Sequence, residues 1–480
     1  MPVGVLPEKG LSAEAVLEAL RSIAAGDMDP RSGRMLGHSY ETGLEELRVA
    51  VLNAYEMFFD KNMLDFTVYP SVLKLEQEVV EAAAELLHAP PGAVGSFTYG
   101  GTESIMLAVK SARDWFWRRH PGVRPRLVMP HTGHPAFAKA SDYLGLELVR
   151  VRVDPETLKA DVNAVLEAVD EKTAMVALSA PNYPYGTVDP IREVAEGLEG
   201  RVWLHVDACM GGFVLPFMEE LGEPVPPFDF RVDGVYSISS DLHKYGYAPK
   251  GASVVLYRDR ELRRGQLYVY LSWPGYPFVN EAVLSSRSAG TLAASWAVLM
   301  LLGREGYLEL TRRILEARSK ISSGLARLGF QVLPTDSSLL AFTADGVSLP
   351  ALAKAMRRRG WYVQFEPGLP DEGLPAAVHL TIAPIHANVA EAFLESLASA
   401  YEEARSAPRG RARELLSALS EPQQLFEAIG LREGELPSNL DLVDELLEIL
   451  PRDVAQELLR EAVDLVLSPR RGGSTRGKGS

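Results

Sequence analysis

The sequence predicts an α/β fold built on a mainly parallel sheet. Six short apolar runs recur in its central part, and segments of helical length or turn-forming residues separate them. Short buried strands that alternate with helices are typical of a parallel sheet covered by helices on both faces. The predicted strands span residues 127–129, 147–151, 173–178, 202–206, 234–238 and 252–257.

The flanking segments predict the rest of the architecture. Apolar residues at helical spacing predict helices over residues 11–25, 43–59 and 75–87, with a covering segment at 27–42. After the predicted sheet segments, the sequence continues with a long helix at 307–328 and then four strands and two helices. These elements indicate a smaller α+β domain. The predicted strands are 331–333, 339–342, 361–365 and 378–382, and the two helices are 349–359 and 389–404.

Four regions follow from this pattern. They are an N-terminal arm with helices at 1–60, a large domain at 61–306, a small domain at 307–405 and a C-terminal helical extension at 406–480. The last residues, 470–480, are basic and rich in Gly and Ser, which predicts a disordered tail.

Composition excludes several functional classes. The chain has 480 residues with 47% hydrophobic and 24% charged side chains, which is typical of a globular protein. A net charge of −15 opposes binding to nucleic acid. Cys209 is the only cysteine, so an internal disulfide and a cysteine zinc cluster are excluded, and no metal is predicted. The longest apolar run, 292–302, is too short to span a membrane, and we predict a soluble, cytoplasmic protein.

The stretch 235–251, which reads V-Y-S-I-S-S-D-L-H-K-Y-G-Y-A-P-K-G, carries the strongest chemical signal. Lys244 follows His243 just beyond a predicted strand, where an α/β enzyme can present an amine to a carbonyl group. Lys244 is therefore our candidate for a Schiff base with pyridoxal 5'-phosphate. Asp207 ends another apolar strand, and its carboxylate can pair with a protonated pyridine nitrogen.

Two further pieces fit the same cofactor. Gly101 and Thr102 lie in a glycine-rich turn before a predicted helix, where backbone amides and the helix dipole favour a phosphate. His134, in the stretch H-T-G-H-P-A-F, can stack its imidazole on a cofactor ring. Each piece alone has an ordinary structural explanation. Their order along one α/β domain makes the combination specific.

These motifs resemble the group II pyridoxal-phosphate decarboxylase superfamily, and within it the sphingosine-1-phosphate lyases. The similarity is strongest over 205–213, 227–232 and 237–251, and a looser similarity spans about 60–400. The region from Arg34 to His88 is more similar to archaeal tyrosine or aspartate decarboxylases. The resemblance implies the fold of the aspartate aminotransferases, known as fold type I, and a carbon–carbon lyase that binds a small-molecule amine.

The resemblance also implies individual roles. It assigns the cofactor lysine to Lys244, the aspartate that pairs with the pyridine nitrogen to Asp207 and the stacking histidine to His134. It assigns binding of the substrate phosphate to Lys250. The other residues implied in the site are Tyr40, Asn62, Gly101, Thr102, Ala208, His243, Gly290 and Thr291. Gly290 and Thr291 would reach the cofactor phosphate of a neighbouring subunit, which implies a homodimer with shared active sites.

One departure from the lyases keeps two reactions open. The lyases have a histidine where this chain has Asp65, and an aspartate facing a phosphate would repel it. The first reaction is retro-aldol cleavage of an amino alcohol, with Tyr40, Lys244 or a substrate phosphate as base. The second is decarboxylation of aspartate, glutamate or tyrosine, for which Arg287 is one candidate carboxylate ligand. A non-catalytic binding module would have lost Lys244 or Asp207, and both are present.

Overall fold

The computed structural model describes residues 6–406, 422–437 and 439–468; the predicted tail at 470–480 lies outside these ranges. The described helices are α1 Ala13–Ile23, α2 Glu45–Phe58, α3 Pro70–Leu86, α4 Gly101–Trp117, α5 Ala136–Leu144, α6 Val162–Ala168, α7 Ile191–Leu198, α8 Leu215–Glu220, α9 Arg260–Arg263, α10 Gly290–Arg327, α11 Leu349–Arg358, α12 Ala390–Arg405, α13 Pro422–Ala428, α14 Leu440–Ile449 and α15 Arg452–Leu467. The strands are β1 Val94–Thr98, β2 Arg126–Pro130, β3 Glu147–Val151, β4 Thr173–Ser179, β5 Trp203–Asp207, β6 Val235–Ser240, β7 Ser253–Tyr257, β8 Tyr268–Tyr270, β9 Phe278–Asn280, β10 Gln331–Val332, β11 Leu339–Thr343, β12 Gln364–Glu366 and β13 Ala377–Thr381.

A seven-stranded sheet forms the centre of the larger of two compact units, which comprises Gly33–Ala344 and Tyr362–Glu395. Its strand order is β1-β7-β6-β5-β4-β2-β3. The strands β6, β5, β4, β2 and β3 run parallel, whereas β7 and β1 are antiparallel to their neighbours. The predicted α/β fold with a mainly parallel sheet is confirmed.

The core of this unit lies between the sheet and the helices that cover it. Strands β4, β5 and β7 are buried along their whole length, as continuous apolar runs require. Trp203 and Tyr257 pack with Phe137 in one apolar cluster. Because Ser179, Asp207 and Ser239 are register partners near the carboxyl ends of β4, β5 and β6, their loops open at the same edge of the sheet.

The same unit contains a four-stranded antiparallel sheet of order β10-β11-β13-β12. The strand β12 is an edge strand of this sheet, and it begins three residues later than the sequence predicted. The helix predicted at 307–328 is the second part of α10, which begins at Gly290 and is interrupted at Gly303, where φ is +53°.

The second unit comprises the described residues within Met1–Ser32, Asp345–Trp361 and Ser396–Ser480. Three of its described helices, α13 to α15, lie in the predicted C-terminal extension and share an apolar cluster that includes Leu425, Ile429 and Leu442. Among the described helices of the chain, none is both long enough and apolar enough to cross a membrane.

Candidate active site

Asp207 occupies the carboxyl end of β5 and is nearly buried, with 7% of its surface exposed. Its Oδ1 atom accepts a hydrogen bond from the Cys209 amide at 3.0 Å and a longer one from the Ser239 hydroxyl at 3.4 Å. These bonds fix the carboxylate at the sheet edge. Ala208 follows directly, and its amide donates to the Ser239 carbonyl at 2.9 Å, which ties the loop to β6.

Lys244 lies in the loop after β6, the strand next to β5 in the sheet. Its Nζ atom is 3.1 Å from Asp241 Oδ2 in a buried ion pair. Burial disfavours the ammonium, but the Asp241 carboxylate outweighs burial and raises the pKa of Lys244 above its ordinary value. The ion pair therefore holds the amine in place near Asp207. The negative charge of Asp207 also raises the pKa of Lys244.

The predicted phosphate turn joins β1 to α4. Gly100 has φ +108° and ψ 160°, a conformation that only glycine adopts readily. Gly101 is the first residue of α4, and a Cβ atom there would lie 2.8 Å from both Asp241 Oδ2 and Cys209 Sγ. Gly101 and Thr102 are in the first helical turn, whose amides have no partner within the helix and can bind an anion.

The histidines have different surroundings. Burial lowers the pKa of His134, although Asp207 opposes the shift, so the imidazole is neutral near pH 7 and can stack on an aromatic ring. The Nδ1 atom of His134 accepts from the Ala136 amide at 3.2 Å. By contrast, His243 Nδ1 donates to the Ala252 carbonyl at 2.7 Å, which anchors the loop that carries Lys244.

A second lysine lies close to Lys244. Lys250 Nζ donates to the carbonyl oxygen of His38 at 3.0 Å and lies 4.7 Å from the ring centre of Tyr40. Burial, together with repulsion by Lys244, lowers the pKa of Lys250 to about 8. Burial likewise raises the pKa of Tyr40 to about 12, and the Tyr40 ring makes an edge contact with Tyr245 at 5.1 Å.

The remaining predicted residues lie around the start of α10, in and beside a loop that accepts a hydrogen bond from Tyr99 at Ser288. The Asn62 side chain donates to the Ser286 hydroxyl at 3.3 Å, and its backbone forms an isolated antiparallel β-bridge with Ser288. Gly290 packs so closely on the Tyr55 ring that a Cβ atom at this position would lie 2.9 Å from the ring. Thr291 follows Gly290 in α10 and is buried. In the same loop the Arg287 side chain pairs with Glu281 at 2.7 Å and is 1% exposed. Arg287 is therefore held in a buried ion pair through Nη2, while its Nη1 atom is buried without a hydrogen-bond partner among the described residues.

Sequence reasoning missed Tyr183, which lies in the loop after β4. Its hydroxyl donates to Gln364 Oε1 at 2.8 Å, and its ring stacks on His379 at 4.3 Å. Tyr40 and Lys244 both act on the pKa of Tyr183, which burial raises above its ordinary value. A polar loop residue beyond a predicted strand end was the only signal in the sequence that pointed to Tyr183.

The residues present fit pyridoxal 5'-phosphate by the chemistry of their groups. Lys244 supplies an amine, Asp207 a carboxylate for the ring nitrogen and His134 a neutral ring. The turn at Gly101 supplies amides for the phosphate. All four belong to the same unit of the structure.

Comparison with known proteins identifies this arrangement. Residues 48–341 match the pyridoxal-dependent decarboxylase conserved domain. The chain is 38% identical to the sphingosine-1-phosphate lyase of Arabidopsis thaliana over 414 residues, which cover 84% of this chain and 74% of the plant protein. It is 31% identical to a probable L-tyrosine/L-aspartate decarboxylase of Methanothermobacter thermautotrophicus over 359 residues, which cover 74% of this chain and 93% of the archaeal protein.

A solved structure agrees with these relatives. The sphingosine-1-phosphate lyase of Burkholderia pseudomallei superimposes with a TM-score of 0.79 at 38% identity, covering 87% of this chain and 96% of that one. The glutamate decarboxylase of Lactobacillus brevis, at 23% identity and a TM-score of 0.76, shares the fold over 85% of this chain and 96% of its own. The predicted cofactor is confirmed as pyridoxal 5'-phosphate. The chain therefore belongs to the pyridoxal-dependent decarboxylase family and is a carbon–carbon lyase.

Proposed function

We propose that this enzyme cleaves a phosphorylated amino alcohol by a retro-aldol reaction and releases an aldehyde and a phosphorylated amine. The observation that carries the proposal is Lys250, a second lysine whose ammonium donates to the His38 carbonyl oxygen and lies 4.7 Å from the ring centre of Tyr40. The names of the relatives from Arabidopsis thaliana and Burkholderia pseudomallei support a substrate of this class. The proposed roles of the other site residues are those that the resemblance implies.

Lys250 suits a phosphate because its own charge is poorly compensated. Its ammonium donates a hydrogen bond to the neutral carbonyl oxygen of His38, and the charge of Lys244 repels it. A substrate phosphate would supply a close negative charge and further acceptor oxygens to this ammonium. Binding would therefore raise the pKa of Lys250 again.

The cleavage requires one proton to leave and one to arrive. The substrate hydroxyl loses its proton to a base as its oxygen becomes an aldehyde, the adjacent carbon–carbon bond breaks, and the carbon that carries the amine takes up a proton. Tyr40 has a pKa of about 12, so its hydroxyl is protonated near pH 7 and suits the donor in the second step. The substrate phosphate remains as a base for the first step; Lys244 can serve only after its ammonium, which the Asp241 carboxylate stabilises, has lost a proton.

Bound pyridoxal phosphate supplies the electron sink for this cleavage. In the proposal, Asp207 stabilises the protonated ring nitrogen, His134 holds the ring plane and Lys244 binds the cofactor carbonyl. The amides of Gly101 and Thr102 hold the cofactor phosphate at the first turn of α4.

Decarboxylation of an amino acid is the second candidate, and Asp65 favours it. This aspartate replaces the histidine of the lyases, and the archaeal decarboxylase relative matches 93% of its own length. However, Asp65 Oδ1 accepts from the amide of Thr67 at 2.9 Å and from its hydroxyl, so the carboxylate is engaged in a local turn. Because the Asp65 carboxylate is engaged in this turn, the argument that it would repel a substrate phosphate is weaker.

The role of Lys250 predicts a pH dependence. Lys250 is charged below about pH 8 and neutral above it, so kcat/KM for the phosphorylated substrate should fall as the pH rises through 8. Lys250→Met should lose about 10- to 100-fold in kcat/KM on this substrate, as expected for a lost hydrogen bond to a charged group.

Two controls test this assignment. Lys250→Arg keeps its charge at high pH, so its activity should not fall through pH 8. An unphosphorylated analogue should be cleaved equally by the wild type and Lys250→Met. Equal losses on both substrates would contradict the assigned role of Lys250.

We also propose that the enzyme is a cytoplasmic homodimer with shared active sites. Large apolar side chains are exposed around the hairpin of β8 and β9, among them Leu271 at 67%, Trp273 at 43% and Tyr276 at 56%. A patch of this kind indicates a protein interface. Sedimentation should show a dimer for the wild type and dissociation with loss of activity for Leu271→Asp. A fully active monomer would contradict the shared site.

The single, buried Cys209 supports the proposed cytoplasmic location, because the cytoplasm is a reducing compartment.

A further inference from the structure

A chain of hydrogen bonds runs through the buried centre of the large sheet and ends at Asp207. Trp203, His205 and Asp207 alternate along β5, so their side chains lie on one face of the sheet. In the neighbouring strand β6, Ser237 is the register partner of His205, and Ser239 is the register partner of Asp207. The four residues that precede Asp207 in this chain of hydrogen bonds are fully buried.

The side chains form an unbroken series of contacts. The Trp203 indole Nε1 atom is 2.8 Å from Ser237 Oγ, which is 2.7 Å from His205 Nδ1. On the other side of the imidazole, Nε2 is 3.2 Å from Ser239 Oγ, which is 3.4 Å from Asp207 Oδ1. Each of the three inner groups therefore has a partner on both sides.

The available hydrogens determine the direction of this chain. The indole can only donate, so Ser237 Oγ accepts from Trp203. The Ser237 hydroxyl then needs an acceptor for its own hydrogen, and within the described part of the chain His205 Nδ1 is the one it meets. Nδ1 therefore carries a lone pair. Burial lowers the pKa of His205 to about 4, so the imidazole is neutral near pH 7 and its single hydrogen is on Nε2.

The Ser239 hydroxyl continues the chain in the same direction. Its oxygen accepts from His205 Nε2 and, at 3.4 Å, from Cys209 Sγ, and its one hydrogen is donated to Asp207. With the histidine hydrogen on Nδ1, the Ser237 hydrogen would have no acceptor, and Nε2 would compete with Asp207 for the Ser239 hydrogen. A buried donor without a partner costs free energy, so the tautomer with its hydrogen on Nε2 is favoured.

This direction matters for the charge of Asp207. Every hydrogen in the chain points towards the carboxylate, and hydrogen bonds aligned in this way polarise and strengthen one another. The last bond, from Ser239, meets an ionised acceptor and is therefore charge-assisted. Because Asp207 is nearly buried, such donors replace hydration that the carboxylate has lost.

We propose that His205 is a positioning residue, held with its hydrogen on Nε2, that directs the Ser239 hydroxyl to Asp207 and thereby stabilises the negative charge opposite the cofactor ring nitrogen. Ser237 fixes the tautomer from the other side of the imidazole. The inference rests on the proposed role of Asp207 and is independent of whether the substrate is an amino alcohol or an amino acid.

The tautomer can be measured without turnover. Nitrogen-15 NMR of the holoenzyme, labelled at its histidine nitrogens, distinguishes a ring nitrogen that carries hydrogen from one that does not. The His205 signals are those that His205→Gln lacks. We expect hydrogen on Nε2 and a lone pair on Nδ1. Hydrogen on Nδ1, alone or together with Nε2, would overturn the inference.

A double-mutant cycle tests whether the chain acts on catalysis. Ser239→Ala removes the donor to Asp207 and should lower kcat about tenfold, as for one hydrogen bond to a charged group. Ser237→Ala, which does not touch Asp207, should lower kcat about two- to tenfold because the tautomer is no longer fixed. In the Ser239→Ala background, Ser237→Ala should have no further effect on kcat, because its action passes through Ser239.

Ser111→Ala is the matched control. Ser111 is a fully buried serine of the same unit whose hydroxyl lies 3.4 Å from that of Tyr257, away from this chain, so its removal should leave kcat and the tautomer unchanged. A wild-type kcat in Ser239→Ala would overturn the inference. An equal loss from Ser237→Ala with and without Ser239 would do the same, since it would indicate a general effect on the fold.

The cycle is evaluated on the product that the wild type releases. Carbon dioxide in place of aldehyde would contradict the retro-aldol proposal, whereas the same non-additivity measured on carbon dioxide release would still support the role of His205. The two proposals therefore fail on different observations.

Discussion

Replacing Lys244 by alanine should remove both the visible absorbance of the lysine-bound cofactor and at least about 10⁴-fold of the turnover. The upper range of a positioned acid or base is about 10⁴, and Lys244 is proposed to supply covalent attachment as well. Absorbance spectra of the purified holoenzyme and steady-state rates measure the two losses. A Lys244→Ala enzyme that stays yellow and active would contradict the assignment.

Two variants test whether the losses in Lys244→Ala have a cause other than the missing bond to the cofactor. Lys244→Ala leaves Asp241 buried without its partner at 3.1 Å, which could destabilise the loop. Lys244→Arg keeps a positive charge opposite Asp241 but cannot form the bond to the cofactor, so it should fold well and still lack the absorbance. Lys250→Met tests the neighbouring amine and should retain the absorbance, because Lys250 is assigned to the substrate.

Replacing Asp207 should separate cofactor binding from catalysis. Asp207→Ala and Asp207→Asn should both retain the cofactor, since Lys244 and the turn at Gly101 are untouched. Turnover should fall by about 10²- to 10³-fold, the usual effect of losing one preorganised electrostatic partner. The physical reason is that a neutral pyridine ring is a poor electron sink.

The asparagine variant is the sharper of the two. Its amide oxygen can still accept from the Cys209 amide, which donates to Asp207 Oδ1 at 3.0 Å, so the loop geometry should survive. Only the charge is lost. Cofactor content and kcat, measured on the same preparation, show whether Asp207→Asn retains the cofactor and loses turnover. A wild-type kcat in Asp207→Asn would contradict the assigned role.

The sheet could be predicted because buried parallel strands appear in the sequence as continuous apolar runs. The strand β3 has the predicted bounds, and β4, β5 and β6 differ from prediction by one or two residues at their ends. By contrast, β1 was missed. Its sequence, V-G-S-F-T, contains a glycine and two hydroxyl residues, and it is a strand because it pairs with β7 along its whole length.

The site could be predicted only where one short segment carries several signals. Lys244 and Asp207 each follow an apolar strand within a distinctive motif. Tyr183 and its partner Gln364 carry no such local pattern, since they are 181 positions apart in the chain. Only the approach of the small sheet to the loop after β4 brings them together, and sequence spacing does not encode that approach.

The most direct test of the central claim is the identity of the product. The purified holoenzyme is incubated with a phosphorylated long-chain amino alcohol and, in parallel, with a mixture of aspartate, glutamate and tyrosine. Aldehyde and carbon dioxide are measured in both reactions, with Lys244→Ala as the blank. We expect aldehyde from the amino alcohol and no carbon dioxide from the amino acids. Carbon dioxide without aldehyde would show that the enzyme is a decarboxylase and would contradict the retro-aldol proposal.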